Sequence, residues 1–408
     1  MNNYNIEDLK VEVSRHFPRY WIAIEACLVT IATLLLKDNS NPTSLLLIGR
    51  PSSGKTTVLE LFKDAKDITY FSDNFTPKAF LSHYANKDKA SLEKIDLLRR
   101  IVKKCLIVPD FGVIFGKKKE DLRENLGILT RVLDGAGLST DTGVQGRREF
   151  TGDCMFSMIG ATTPFGYSLW DEMGRLGARM LFLSMDNNQR EIGDVIAEIK
   201  EGLSYSDRKE ACVKVVGEFV SGFWKEYDGF RSVSWDDSTI PDDLLNKVVN
   251  LAGILARLRG MIPKMWVDNI GDYQHGTPTI EDPARVTNLL LNIAKGRALI
   301  YGKNQIDKDS VPLLVRIVTS SCPMDRGIIF KELIRRENHE VHTSEVCSLT
   351  KVSPKTALQT MRNLEILEIA EISSVSEEGA SGRPEVSIRL NKEIEEWVND
   401  SGLQEFIS

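Results

Sequence analysis

A glycine-framed loop carries the residues best suited to chemistry in this chain of 408 residues. Residues 44–57 read Ser-Leu-Leu-Leu-Ile-Gly-Arg-Pro-Ser-Ser-Gly-Lys-Thr-Thr. Gly49 and Gly54 are separated by four residues and followed by Lys55 and Thr56, which is the spacing of a phosphate loop. Glycines let successive backbone N–H groups turn inward around a phosphate, and the N-terminus of the following helix adds its positive dipole end.

The predicted ligand of this loop is a nucleotide with Mg²⁺. Lys55 is placed to reach the β- and γ-phosphates, and the Thr56 hydroxyl to ligate the metal. The predicted nucleotide contacts are Gly49, Arg50, Pro51, Ser52, Ser53, Gly54, Lys55, Thr56 and Thr57. The alternative is a chance glycine turn between a strand and a helix. It is disfavoured because an apolar strand precedes the loop and helix-forming residues follow it.

A second apolar run, residues 105–110, ends in the carboxylate of Asp110. In phosphate-loop enzymes an Asp at the end of the neighbouring strand holds Mg²⁺. Thr56 and Asp110 are therefore the predicted metal pair. The alternative is a surface Asp that merely ends a strand.

A hairpin is predicted over residues 136–151, where polar and apolar residues alternate around a turn from Gly143 to Gly146. Its tip or descending arm carries Arg147 and Arg148, whose charge suits phosphate contact. The alternative is a structural hairpin whose arginines pair with Glu149 and Asp141.

The elements that must position these residues alternate between strands and helices, which predicts an α/β doubly wound domain. Further strands are expected at 68–71, 155–159 and 180–183, a helix capped by Thr76 with Pro77 at its first position, and a largely helical region from 189 to about 320. The tail combines helices with two strands at 370–374 and 386–390, the pattern of a winged helix. We expect an N-terminal helical segment (1–37), an α/β core (38–188), a helical lid (189–322) and a winged-helix domain (323–408).

Composition places the chain among ordinary globular proteins. The net charge of −6 does not indicate a nucleic-acid partner, so any DNA contact must come from local basic positions. The six cysteines lie far apart without metal-site spacing, which is typical of a reducing compartment. Residues 21–36 are apolar but short for a membrane span and include Glu25, so a buried helix and a cytoplasmic protein are expected.

The order of these parts resembles the AAA+ ATPases. The hairpin between the Asp110 strand and the next strand is similar to that of the minichromosome-maintenance (MCM) branch, and the chain looks most like the MCM-like ATPases of prophages and mobile elements. The segments that carry this resemblance are Leu106-Ile-Val-Pro-Asp-Phe-Gly112, Leu133-Asp-Gly135 and Leu176-Gly-Ala-Arg-Met-Leu-Phe182. It implies an AAA+ P-loop NTPase core with a parallel sheet, followed by a helical lid and a C-terminal winged helix.

The resemblance also implies roles for individual residues around ATP. Thr163 falls at the sensor-1 position, with Thr162 as its close competitor. Arg179 matches the arginine finger that reaches the ATP of a neighbouring subunit, with Arg175 as the alternative. Arg285 resembles the sensor-2 arginine that contacts the γ-phosphate. The implied assembly is a homo-oligomeric ring, most simply a hexamer.

One departure from the family bears on catalysis. The family has a glutamate after the strand aspartate, where it polarises water, but here Phe111 follows Asp110. Glu120 and Glu124 lie nearby in sequence as weak substitutes. A slow ATPase is therefore an open alternative.

In MCM-like rings the hairpin points into the central channel and tracks single-stranded DNA, which implies this role for Arg147 and Arg148. In the winged helix, the predicted DNA-contacting residues are Lys355, Gln359 and Arg362 on the third helix and Arg383 at the wing tip. This acidic module fits DNA binding and protein contact equally well.

The leading expectation is an MCM-like ATPase that translocates on or unwinds DNA in the replication of a mobile element. The alternative is a nucleotide-switched loader, assembly factor or defence-system ATPase with slow turnover. A transcription regulator that reads an operator with its winged helix is a weaker third.

Overall fold

The structure, a computed structural model, describes residues 5–83, 88–143, 146–174, 177, 179–185, 196, 204–267, 272–375 and 385–407. The chain forms two compact units. Unit 1 comprises Met1–Phe165, Arg179–Ile240 and Asn292–Leu313, and unit 2 comprises Gly166–Ala178, Pro241–Leu291 and Leu314–Ser408.

Strands and α-helices are numbered in chain order over the described residues. The strands are β1 (Ser44–Ile48), β2 (Thr69–Phe71), β3 (Cys105–Val108), β4 (Gly137–Thr142), β5 (Gly146–Thr151), β6 (Ser157–Thr162), β7 (Leu181–Ser184), β8 (Lys264–Val267), β9 (Asp272–His275), β10 (Glu340–His342), β11 (Ala370–Val375) and β12 (Glu385–Leu390). The helices are α1 (Ile6–His16), α2 (Trp21–Ala32), α3 (Lys55–Glu60), α4 (Lys89–Ile95), α5 (Leu97–Ile101), α6 (Gly112–Phe115), α7 (Lys119–Val132), α8 (Tyr167–Gly174), α9 (Tyr205–Glu226), α10 (Asp242–Arg259), α11 (Ala284–Ile300), α12 (Val311–Ser320), α13 (Met324–Arg335), α14 (Thr343–Thr350), α15 (Pro354–Ile366), α16 (Lys392–Ser401) and α17 (Gln404–Ile407).

The core of unit 1 is a five-stranded sheet in the order β2-β3-β6-β1-β7, in which every pair of neighbours is parallel. Its strands read as nearly continuous apolar runs because both faces of a parallel sheet are covered. Strand order reverses beside β1, and ligands of such sheets bind outside the carboxyl ends of the strands at this reversal. The predicted α/β core with a parallel sheet is confirmed.

Helix α2 is buried on all its faces, as expected for an apolar helix inside a domain. Its one acid, Glu25, accepts hydrogen bonds from Arg297 Nε (2.9 Å) and the Tyr301 hydroxyl (3.1 Å). A buried carboxylate needs such partners. Within the described part of the chain, no helix is long and apolar enough to span a membrane.

Unit 2 contains the winged helix. Helix α13, strand β10, helices α14 and α15 and strands β11 and β12 follow one another, and the sheet has the order β10-β12-β11. Ser353 caps α15 by accepting a hydrogen bond from Thr356 N, with Pro354 at the first helical position. The two predicted wing strands are present, and the three-residue β10 and helix α16 add to them.

A shared carboxylate joins three helices of unit 2. Asp325 Oδ2, on α13, accepts hydrogen bonds from the Tyr167 hydroxyl (2.7 Å) and from Thr360 Oγ1 (2.9 Å). Tyr167 begins α8 and Thr360 lies on α15. Helix α8 therefore belongs to unit 2, although the chain on both sides of it belongs to unit 1.

The structure differs from the expected elements at three places. The region predicted to be helices and loops contains a short hairpin, β8–β9. The helix predicted to open at Thr76 is only a 3₁₀ turn, Pro77–Ala79. The strand predicted at 155–159 is β6, which begins at Ser157 and continues to Thr162 because it pairs with β1 over that length.

Candidate nucleotide-binding site

The phosphate loop connects β1 to α3, as predicted. Gly54 has a φ of 90°, a left-handed conformation that glycine adopts without strain. A Cβ atom at this position would lie 2.2 Å from the ring of Tyr20. Gly54 is thus required both by its backbone conformation and by the close approach of an aromatic side chain.

Lys55 holds the loop from the inside. Its side chain is buried, and Nζ donates to the carbonyl oxygens of Gly49 (2.6 Å) and Arg50 (2.7 Å) and to Ser53 Oγ (3.1 Å). The ammonium is therefore fixed at the centre of the loop, where a phosphate would receive its charge.

A pocket of about 400 Å³ opens over the loop, lined by Tyr20, Ser52–Thr57 and Tyr205. The Tyr205 hydroxyl lies 2.5 Å from Thr57 Oγ1. Phe17 stacks on Tyr20 with ring centroids 5.4 Å apart and meets Tyr205 edge-on at 6.0 Å. The sequence analysis missed both tyrosines, because neither belongs to the phosphate-loop pattern.

The predicted metal pair lies on the same edge of the sheet. Thr56 follows β1 and Asp110 follows β3, so both stand at the carboxyl ends of parallel strands, and both side chains are exposed. Asp110 Oδ1 accepts a hydrogen bond from Gly112 N at 2.7 Å. A hydroxyl and a carboxylate are the hard oxygen ligands that Mg²⁺ prefers, so the donor set fits this metal.

Strand β6, between β3 and β1, brings the predicted sensor-1 threonine to that edge. Thr163 follows the last residue of β6 and is exposed. The competing Thr162 is buried, and its hydroxyl donates to the carbonyl of Thr163 at 3.1 Å. The exposed hydroxyl of Thr163 is the better placed of the two.

Phe111, which stands where the MCM-like pattern has a glutamate, belongs to the hydrophobic core. It is fully buried, and its ring lies 5.5 Å from that of Phe115 and 6.2 Å from that of Phe75. A Cβ atom on Gly160 would lie 2.6 Å from the Phe111 ring, so β6 has no side chain where this ring packs. Of the proposed substitutes, Glu120 is exposed, and Glu124 forms an ion pair with Lys78 at 2.8 Å.

Arg179 lies on the opposite edge of the sheet. It precedes β7, and β7 pairs with β1 so that Leu181 lies beside Leu45. This register places Arg179 six residues before Gly49, or roughly 20 Å along the strand direction. The guanidinium is half-buried and forms an ion pair with Asp134, with Nε 2.9 Å from Oδ1. The alternative finger, Arg175, lies outside the described residues.

Arg285, the predicted sensor-2 residue, lies in the first turn of α11 and is half-buried. The backbone N–H of Ala284 donates to Asp282 Oδ1 at 2.8 Å, which caps the start of this helix.

The predicted hairpin is strands β4 and β5, and its two arginines differ sharply. Arg147 is exposed over 67% of its side chain and pairs with Glu149 at 2.9 Å. Arg148 is buried, and its Nη2 lies 2.8 Å from Oδ2 of Asp96, which is itself fully buried. Arg148 Nη1 also donates to the Ser82 carbonyl. The prediction that Arg148 contacts DNA is wrong for this structure, because its guanidinium is buried and binds the hairpin to Ser82 and Asp96 of the same unit.

Two further contacts support this anchor. His83 Nε2 lies 2.8 Å from Thr140 Oγ1 on β4, and the Arg99 guanidinium lies over the Phe150 ring at 4.5 Å. Partial burial and then the nearby Arg148 lower the pKa of His83, against an opposing effect of Asp96. The hairpin is therefore held along its length, with Arg147 left on the exposed side.

The residues of the winged helix that are predicted to contact DNA also differ in their exposure. Lys355 and Arg362 are exposed and, seven residues apart, share one face of α15. Gln359 is half-buried, and its amide nitrogen lies 2.9 Å from His275 Nε2, so this amide is used within unit 2. Arg383 lies outside the described residues.

No protein-family model matches the sequence, and no curated protein matches it at a significant level. Among solved structures, the chain is similar to the ORC1 protein of Aeropyrum pernix in complex with DNA, at 14% identity and a TM-score of 0.29, over 94% of this chain and 92% of that one. It is also similar to the C-terminal region of NrS-1 in an apo form, at 10% identity and a TM-score of 0.27, over 96% of this chain and 77% of that one. Because both scores are low, function is argued from the site alone.

Proposed function

We propose that this chain is an MCM-like AAA+ ATPase that binds ATP at the interfaces of a homo-oligomeric ring, hydrolyses it, and translocates on or unwinds DNA. The observation that carries this proposal is that the phosphate-loop residues Lys55 and Asp110 lie at one edge of the sheet and the predicted finger Arg179 at the opposite edge. Lys55 and Asp110 lie at the carboxyl ends of the strands, at the phosphate loop. Arg179 lies at the opposite end, roughly 20 Å from Gly49 along the strand direction. An arginine finger in that place can serve only the nucleotide of another subunit.

Each residue then has a defined task. The loop N–H groups and Lys55 bind the phosphates, with Tyr20 and Tyr205 flanking the pocket. Thr56 and Asp110 would hold Mg²⁺, which neutralises charge that develops on the phosphates. Thr163 orients the attacking water, and Arg285 keeps its predicted role toward the γ-phosphate. The partner subunit supplies the finger, and such an arginine accelerates phosphoryl transfer by about 10³–10⁵.

DNA contact in this proposal comes from Arg147 rather than from both hairpin arginines. Its guanidinium is exposed at a glycine-bounded hairpin end, where it can exchange Glu149 for a phosphate. Lys355 and Arg362 offer a second, smaller basic face on α15.

The proposal is tested by steady-state ATP hydrolysis with and without single-stranded DNA. We expect Lys55→Ala to abolish turnover, and Arg147→Ala to retain basal turnover but lose its stimulation by DNA. Arg15→Ala is the matched control, because Arg15 is also an exposed arginine (66%) paired with a nearby glutamate, Glu12. Translocation is refuted if Arg147→Ala and Arg15→Ala respond to DNA alike. Electron microscopy with an ATP analogue tests the ring.

The buried Phe111 favours a second candidate, a nucleotide-switched loader or assembly ATPase with slow turnover. With Phe111 at this position, the end of β3 carries the Asp110 carboxylate, which is assigned to Mg²⁺, and has no glutamate beside it to polarise water. This candidate predicts tight ATP binding, ATP-dependent assembly, and single-turnover hydrolysis that DNA does not accelerate.

A further inference from the structure

The predicted arginine finger, Arg179, pairs with Asp134, which lies just before the β4–β5 hairpin. Asp134 comes between the end of α7 at Val132 and the start of β4 at Gly137. Its carboxylate meets the guanidinium of Arg179 side-on, with Nε to Oδ1 at 2.9 Å and Nη2 to Oδ2 at 3.4 Å. Both side chains are half-buried, at 23% and 18% exposure. A two-point contact of this kind fixes the plane of a guanidinium as well as its position.

The backbone around Asp134 is held firmly to the hairpin. The Gly135 carbonyl accepts from Cys154 N at 3.0 Å, and Gly137 pairs with Thr151 at the open end of the hairpin. Gly137 has a φ of 85°, and a Cβ there would lie 2.1 Å from the Phe150 carbonyl oxygen. The two hairpin strands therefore approach closely at their root. Asp134 therefore lies three residues from a point where the backbone is tightly held.

We propose that Asp134 is the positioning residue of the arginine finger and holds it from the fixed root of the β4–β5 hairpin. This inference rests on the proposed function, because it assigns a partner to the finger. Asp134 holds the Arg179 guanidinium in the orientation in which a neighbouring subunit meets it.

The test measures kcat and KM for ATP, with and without single-stranded DNA, in Asp134→Asn and Asp134→Glu. We expect Asp134→Asn to lower kcat by about tenfold or more, since small misplacements of a catalytic group have effects of this size. KM should stay unchanged, because the pocket over the phosphate loop is lined by Tyr20, Ser52–Thr57 and Tyr205 and not by Asp134. Asp134→Glu should recover part of kcat, since it restores the charge. An unchanged kcat in Asp134→Asn overturns the inference.

Asp153→Asn is the matched control. Asp153 is also an aspartate of unit 1 that pairs with an arginine, Arg231, at 2.5 Å. Each variant loses one ion pair, which is half-buried for Asp134 and has an exposed aspartate for Asp153, and both should show only small changes in thermal stability. Only Asp134→Asn should lower kcat. If both lower it equally, Asp134 acts through stability and the positioning role falls.

A double-mutant cycle separates this inference from the proposed function. If Asp134 acts only through the finger, Asp134→Asn has no further effect on turnover in an Arg179→Ala background. If Asp134→Asn lowers turnover equally in the wild-type and Arg179→Ala backgrounds, the inference is overturned, but the assignment of Arg179 as the finger is unaffected. If Arg179→Ala alone leaves turnover unchanged, the finger assignment and this inference both fall.

Mixed rings show whether the effect crosses a subunit interface. Lys55→Ala subunits, inactive themselves, are mixed with wild-type subunits to which they still present a finger. Subunits that carry Lys55→Ala together with Asp134→Asn should depress turnover of the mixture further than Lys55→Ala alone. Equal depression by the two means that Asp134 does not act in trans, and it overturns the inference.

Discussion

Replacing Phe111 by glutamate, the residue of the family pattern, should damage the protein rather than improve its catalysis. The Phe111 ring is fully buried between Phe75 and Phe115, and its edge fills the space that Gly160 leaves on β6. A glutamate there would lose these contacts and would also bring a carboxylate into an apolar site, where burial opposes its charge.

The magnitude follows from the packing. Truncation of a buried phenylalanine to alanine costs about 3–5 kcal/mol of the free energy of unfolding. For Phe111→Ala we expect about 4 kcal/mol, since two ring contacts are lost as well. In a domain of this size each kcal/mol shifts the melting temperature by about 2–4 °C, so a fall of about 8–16 °C is expected. Phe111→Glu should fall at least as far.

The assay is thermal unfolding followed by calorimetry, together with ATP turnover measured well below the transition. Val113→Ala, two residues along and 42% exposed, is the control and should shift the melting temperature very little. The reasoning is refuted if Phe111→Glu melts with the wild-type protein and hydrolyses ATP faster. That result would mean that the position faces the nucleotide and that Phe111 is not a core residue.

Three further predictions concern the loop and the hairpin. Gly54→Ala should abolish binding of a fluorescent ATP analogue, because its Cβ would overlap Tyr20 at a φ of 90°, whereas Gly127→Ala, with open space around its Cβ, should bind normally. Arg148→Met should lower the free energy of unfolding by about 1–3 kcal/mol, since it removes the shortest ion pair of the buried Asp96 carboxylate and leaves it with Arg99 at 3.7 Å and Ser82 N at 2.9 Å; a cost within error of zero in denaturant titrations would contradict the anchor. Because the pKa of His83 is lowered from 6.5 on folding, the unfolded chain binds more protons below that value, and stability should fall as the pH drops below about 6.5; His83→Gln should remove this part of the pH dependence.

Structural features that depend on residues close together in the chain could be predicted from the sequence. The phosphate loop, the parallel strands and the β4–β5 hairpin each depend on local spacing of glycines and apolar residues, and each was predicted correctly. The hairpin β8–β9 and strand β10 were missed because Asp272–His275 and Glu340–His342 are short and mostly polar, whereas the equally short β2, β3 and β7 lie in apolar runs.

Pairs of distant residues could not be read from local patterns. Arg148 looked like a DNA contact because it is a cation beside Arg147, and only the fold brings Asp96, 52 residues earlier, against it. The same holds for Asp134 and Arg179, which are 45 residues apart, and for Tyr205 beside Thr57. Alternation along β5 offered one clue, since adjacent residues on a strand face opposite sides.

Helix α8 has a consequence for how this protein can be divided. Unit 2 is assembled from three separate stretches of chain, and the first of them lies between β6 and β7 of the other unit. The Tyr167–Asp325–Thr360 contacts bind that stretch to the winged helix. No single break in the chain can therefore release unit 2 whole. A recombination event that exchanged only the C-terminal segment would separate Tyr167 on α8 from Asp325 and Thr360, so α8 and the winged helix must change together.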